Sequence, residues 1–103
     1  MNIITDNDLS SFDDNECHLL FYFTATWCGP CKKIRPLIDL IGYGADPTKL
    51  KVYLIDIDEN DKISSEFKII SVPSFHLYKN NELKGSVCGS DIQKVKELLL
   101  LID

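Results

Sequence analysis

Leu19-Leu20-Phe21-Tyr22-Phe23-Thr24-Ala25-Thr26-Trp27-Cys28-Gly29-Pro30-Cys31 begins as a continuous apolar run and ends in two cysteines two residues apart. An apolar run over Leu19 to Thr24 without polar alternation is the pattern of a central strand covered on both faces. Ile34, Leu37, Ile38 and Ile41 follow at helical spacing, which predicts a helix over Cys31 to Ile41. Pro36 falls inside it and should kink it rather than end it, because the apolar period continues. Gly42-Tyr43-Gly44 and then Asp46-Pro47 mark the stop and a loop. A strand that runs into this pair and opens a helix sets Cys28 at a helix N-terminus. The dipole and the unpaired N–H groups there favour a thiolate. Pro30 suits a first helical turn, where a missing N–H costs nothing, and Gly29 keeps bulk away from the sulfur.

Outward from this stretch, Ile3-Ile4 reads as a short edge strand and Asp6 to Phe12 as a short helix, with Leu9 and Phe12 on one side. Val52 to Ile57 is a second buried strand, and Ile63 with Phe67 suggests a short helix. Ser74 to Tyr78 and Leu83 to Val87 flank Lys79-Asn80-Asn81-Glu82, a hairpin turn. Ile92, Val95, Leu98, Leu99 and Ile102 form the stripe of a C-terminal helix, capped by Ser90 or Asp91. The order β-α-β-α-β-α-β-β-α implies an α/β fold. Its central sheet is mixed, parallel in its first half, with helices on both faces. A chain of 103 residues fits one domain, 1–103.

A net charge of −5 with scattered lysines argues against a nucleic-acid footprint; Lys32-Lys33 and Arg35 form the one short basic cluster. No segment has the apolar length of a membrane span, and no basic-then-apolar leader opens the chain. Four cysteines, Cys17, Cys28, Cys31 and Cys88, without a secretory signal point to a reducing compartment and a cytoplasmic location. A CxxC in that setting is metal-binding or catalytic. A zinc site would need a second ligand pair, for which Cys17-His18 is the nearby candidate. The acidic stretches at Asp13-Asp14-x-Glu16 and Asp56 to Asp61 lack calcium-loop spacing and read as solvated ends. His76 is out of phase with Pro73 and Phe75, so it should face away from the cysteines as a hydrogen-bonded strand histidine.

Trp27-Cys28-Gly29-Pro30-Cys31-Lys32 resembles the active site of the thioredoxin family. Phe23-Thr24-Ala25-Thr26 before it, Pro36 within the helix, Val72-Pro73-Ser74 and Gly89 add to the resemblance, which spans Ile3 to Ile102. It implies a thioredoxin-like fold and a thiol–disulfide oxidoreductase that reduces protein disulfides. In that reading Cys28 is the exposed nucleophile, Cys31 is the buried resolving thiol, and the two cycle through a Cys28–Cys31 disulfide. Trp27 lies across the active-site surface, unless it is a core tryptophan. Pro73 is cis and packs on the cysteine pair, unless it simply enters a strand. Trp27, Val72, Pro73 and Gly89 form the client surface, with Val72 free to pair with a client strand. Cys88 borders that groove, either as a packed small residue or as a regulatory thiol. The resemblance implies no bound cofactor and no metal. It implies a monomer that takes electrons from an NADPH-dependent flavoprotein thioredoxin reductase and hands them to disulfide-containing clients. A thioredoxin-like interaction module and an electron donor dedicated to one client are the alternatives.

The sequence departs from the family at Tyr22, which stands where the family carries a buried aspartate, and at Leu54, where a charged partner is common. A tyrosine, with an ordinary pKa of about 10, is no carboxylate-like base at neutral pH. The expectation is that Tyr22 packs as a core aromatic rather than bonding to a sulfur. Cys31 must then be ionised directly or through water.

Overall fold

The computed structural model describes residues 2, 3, 5 and 17–102. Their elements are β1 (Asn2–Ile3), β2 (His18–Thr24), α1 (Gly29–Gly44), β3 (Leu50–Asp56), α2 (Asp61–Glu66), β4 (Ser74–Lys79), β5 (Glu82–Cys88) and α3 (Ile92–Leu99). The expected helix over Asp6 to Phe12 and the acidic residues Asp13, Asp14 and Glu16 lie outside the described residues. The strands form one mixed sheet in the order β1-β3-β2-β4-β5. β1, β3 and β2 run parallel, while β4 and β5 are antiparallel.

The period of two along β2 explains why its sequence is apolar throughout. Leu20 and Tyr22 face one side with Val52, Leu54, Phe75 and Leu77, under Ile34 and Ile38 of α1 and Val95 and Leu98 of α3. Leu19, Phe21 and Phe23 face the other side with Ile55, under Ile63 of α2. Helices therefore cover both faces, and β2 is buried along nearly its whole length. Between β4 and β5, Asn80 and Asn81 both adopt positive φ, 54° and 63°, as a tight two-residue hairpin turn requires. Asp91 caps α3 by accepting from the N–H groups of Gln93 and Lys94.

α1 differs from expectation at its end. It continues past Pro36 as expected, but it also runs through Gly42 and Tyr43 to Gly44. Ile41 and Ala45 pack against the core, and that burial outweighs the poor helix propensity of the glycines. The turn then starts at Asp46, whose carboxylate accepts from Thr48 N–H and Oγ–H.

Candidate redox site at the head of α1

β2 delivers the chain to Thr24, and Ala25-Thr26-Trp27 carries it over the C-terminal edge of the sheet into α1. Cys28 is the N-cap of α1, with Gly29 and Pro30 in the first turn. Its Sγ accepts a hydrogen bond from Cys31 N–H at 3.1 Å. This is the predicted placement: a sulfur receives one of the N–H groups that a helix start leaves unpaired. Cys28 and Cys31 form a disulfide, with Cα atoms 5.2 Å apart. Cys28 is only 4% exposed against 1% for Cys31. The expected order holds, but in the disulfide form Cys28 is not an exposed residue, because Ala25, Ile57 and Val72 pack around the pair.

Trp27 is 66% exposed, which excludes the core reading. Its indole Nε1–H donates to Asp58 Oδ2 at 2.7 Å. Asp58 was not singled out in the sequence. The usable signal was its place just beyond the C-terminal end of a parallel strand, where α/β sheets build their sites. Within the Asp56 to Asp61 stretch, Asp58, Glu59 and Asp61 are exposed, as a solvated stretch should be, but Asp58 also meets Trp27 and Asp56 lines the cleft beside the redox pair. Asn60 near the end of the stretch is buried and donates to Asp56 O.

The Val72–Pro73 peptide bond is cis, and Val72 packs against the cysteine cluster. Gly89 adopts φ 102° and donates its N–H to Pro73 O at 2.9 Å, tying the end of β5 to the proline loop. Cys88 is exposed, which overturns the packed-residue reading; its Sγ lies 3.7 Å from Ser74 Oγ.

Tyr22 is fully buried and stacks on Phe75, with ring centroids 5.1 Å apart. Its hydroxyl donates to the Cys31 carbonyl oxygen at 2.9 Å, so it touches the backbone of the resolving position and not a sulfur. Burial holds its phenol above the ordinary range, which keeps the O–H protonated as a donor. Leu54 packs beside it in the same cluster. A cavity of about 330 Å³ opens between β2, β3 and α1, with Tyr22, Thr24, Cys31, Lys32, Arg35 and Asp56 among its lining residues.

The remaining candidates lie elsewhere. Cys17 packs with Leu19, Phe21 and Ile63 on the face opposite Tyr22. It precedes the seven residues of β2 from their far end, so roughly 20 Å of strand separates Cys17-His18 from the redox pair. Among the described residues no group of three or more His, Cys, Asp and Glu is placed to hold a metal ion. No described helix is long and apolar enough to cross a membrane. His76 faces away from the cysteines, into the rings of Phe23, Phe67 and Tyr78. Contrary to expectation, its Nδ1 is buried without a hydrogen-bond partner among the described residues, because the surrounding side chains are aromatic.

A disulfide that caps a helix beside a cis-proline loop, on a mixed sheet of this order, defines a dithiol–disulfide exchange site on a thioredoxin-like fold. The comparisons with known proteins agree. The model of the Thioredoxin family matches residues 3–100. The chain is 37% identical over 100 residues to the thioredoxin of Rickettsia prowazekii (strain Madrid E), covering 96% of this chain and 92% of the relative. It is 37% identical over 95 residues to "Thioredoxin O1, mitochondrial" of Arabidopsis thaliana, covering 90% of this chain but 48% of that protein, so it spans about half the relative's length. The solved thioredoxin of Malassezia sympodialis superposes with a TM-score of 0.89 at 28% identity, covering 98% of this chain and 89% of the other. Fasciola hepatica thioredoxin gives 0.91 at 22% identity over 100% of both chains, a likeness of fold. The chain belongs to the thioredoxin family.

Proposed function

We propose that this chain is a thiol–disulfide oxidoreductase that reduces protein disulfides through a Cys28/Cys31 cycle. The observation that carries this reading is the Cys31 N–H directed at Cys28 Sγ from the head of α1. The same N–H that caps the sulfur in the disulfide favours a Cys28 thiolate in the dithiol. That thiolate attacks a client disulfide and forms a mixed disulfide, and Cys31 resolves it. The two-residue spacing makes resolution intramolecular, with a large effective molarity.

Trp27, Val72, Pro73 and Gly89 form the client surface in this reading. The exposed indole supplies apolar contact, and the backbone of Val72, which has no hydrogen bond among the described residues, offers strand-like pairing. Gly29 and Pro30 are exposed in the first turn of α1 and put little bulk beside the sulfur. Cys88 borders the surface as an oxidisable third thiol. An NADPH-dependent flavoprotein thioredoxin reductase is the electron source we assign, and the chain works as a monomer and electron carrier. Cys17 and Cys88 are in no disulfide, which supports a reducing compartment, and we place the protein in the cytoplasm.

The test is the thiol-driven reduction of insulin, followed by turbidity. Cys28→Ser should abolish acceleration, and Cys31→Ser should stall mixed disulfides whose partners are then identified by mass. Partner capture that survives Cys28→Ser, in a wild type without turnover, would overturn the reading in favour of a docking module.

A further inference from the structure

The disulfide exchange proposed above requires Cys31 to lose a proton before it can attack, yet Cys31 is almost completely covered and Tyr22 occupies the place of the family's carboxylate. The cavity that reaches Cys31 shows what is left to accept that proton. Tyr22 cannot, because its hydroxyl is committed as a donor to the Cys31 carbonyl. Thr24 is no base at neutral pH, and Lys32 and Arg35 are cations. Asp39 is paired with Arg35 at 3.2 Å and does not line the cavity. Asp58 is engaged with Trp27 Nε1 and does not line it either. Among the described residues, Asp56 is the carboxylate on the cavity wall.

Its place follows from the strand period. Leu50, Val52, Leu54 and Asp56 alternate onto the α1 face of β3, and Asp56 sits in register with Thr24, as Leu54 does with Tyr22. The carboxylate missing at position 22 is therefore present two residues further along, on the neighbouring strand. It stands at the wet mouth of the cleft rather than in the core. One of its oxygens, Oδ1, accepts from Asp58 N–H at 2.9 Å, and the other has no partner among the described residues. A cavity of about 330 Å³ with several polar groups on its wall has room for bridging water.

We propose that Asp56 is the positioning residue that accepts the Cys31 proton, through cavity water, when a mixed disulfide is resolved. The Cys31 thiol proton passes by way of water to the Asp56 carboxylate. The Cys31 thiolate attacks the Cys28 sulfur of the Cys28–client disulfide. The Cys28–Cys31 bond forms and the Cys28–client bond breaks, and the client sulfur leaves with the electron pair. That sulfur recovers the proton from Asp56 through the same water. The client is reduced by two electrons, the dithiol is oxidised by two, and Asp56 ends as it began.

The test separates loading of Cys28 from closure by Cys31. Reduced protein is loaded at pH 5 with glutathionyl 2-pyridyl disulfide, which reacts in acid and releases a chromophore. The pH is then jumped to values from 6 to 10, samples are acid-quenched, and the glutathione adduct is mapped by mass so that Cys88 is counted separately. Asp56→Asn keeps the acceptor for Asp58 N–H and removes only the base. It should load Cys28 at the wild-type rate and close about tenfold or more slowly at pH 7. The gap should narrow above about pH 8.5, where an ordinary thiol ionises unaided. Closure unchanged at every pH, or slowed by one constant factor throughout, overturns the role of Asp56 alone. Failure of Cys28 to load overturns the exchange itself, and the role of Asp56 with it.

Discussion

The Tyr22 hydroxyl donates to the Cys31 carbonyl oxygen across 2.9 Å of the protein interior, joining the central strand to the first turn of α1. The contact replaces a buried charge with a neutral donor that anchors the resolving cysteine's backbone. It is consistent with Leu54 beside it, since an unpaired buried charge would be costly and the pair of charges is absent together.

Tyr22→Phe removes that hydrogen bond and leaves the ring stack on Phe75 in place. We expect a loss of about 1 kcal/mol in urea unfolding, with the denaturant slope unchanged. A variant as stable as wild type would mean that the hydroxyl contributes nothing net.

Asp58→Ala frees the indole of Trp27. Because Trp27 is the sole tryptophan of the chain, its emission reports this site directly. The variant should show greater quenching by acrylamide, and a raised KM for a protein client with kcat nearly unchanged. Emission and quenching identical to wild type would show that Asp58 does not hold the ring.

His76 sets an acid limit on stability. Burial holds its pKa below the ordinary value, because protonation would place an unpartnered N–H among aromatic rings. The unfolded chain therefore takes up a proton at about pH 6.5, where the folded chain does not. Stability is complete above that pH and falls as pH drops through 6.5 toward the lowered folded value. Melting temperatures between pH 7.5 and 5 should decline for wild type and less steeply for His76→Leu; parallel curves would exclude His76 as the cause.

Gly85 of β5 lies under Leu98 of α3 and under Leu101 just beyond it. A Cβ there would lie 2.7 Å from Leu98 Cδ1 and 3.2 Å from Leu101 Cδ1. Gly85→Ala should destabilise by about 1–3 kcal/mol through overpacking. Calorimetry would detect the fall in melting temperature, and Gly29→Ala, whose Cβ would meet nothing within 4 Å, is the contrasting case for stability.

Cys88 is exposed and Cys17 is buried. Iodoacetamide should label Cys88 first in the folded protein, with Cys17 reacting only on unfolding. Equal labelling in native buffer would contradict the burial of Cys17.

The sequence by itself determined the strand-to-helix passage into Cys28, the continuation of α1 through Pro36, the hairpin at Asn80-Asn81 and the α/β order of the described elements. These follow from local rules: apolar period, proline and glycine geometry, and spacing along one segment. Tertiary structure decided what those rules cannot reach. Tyr22 meets Cys31 only because β2 lies beneath α1, and Asp58 meets Trp27 only because the loop after β3 rises beside the one after β2. Asp56 reaches the cleft only because β3 pairs in register with β2, which sets it beside Thr24. The glycines of α1 stay helical because Ile41 and Ala45 find the core. In each case the deciding partner is far away in sequence, and its distance is fixed by strand pairing and packing between layers, which no single segment encodes.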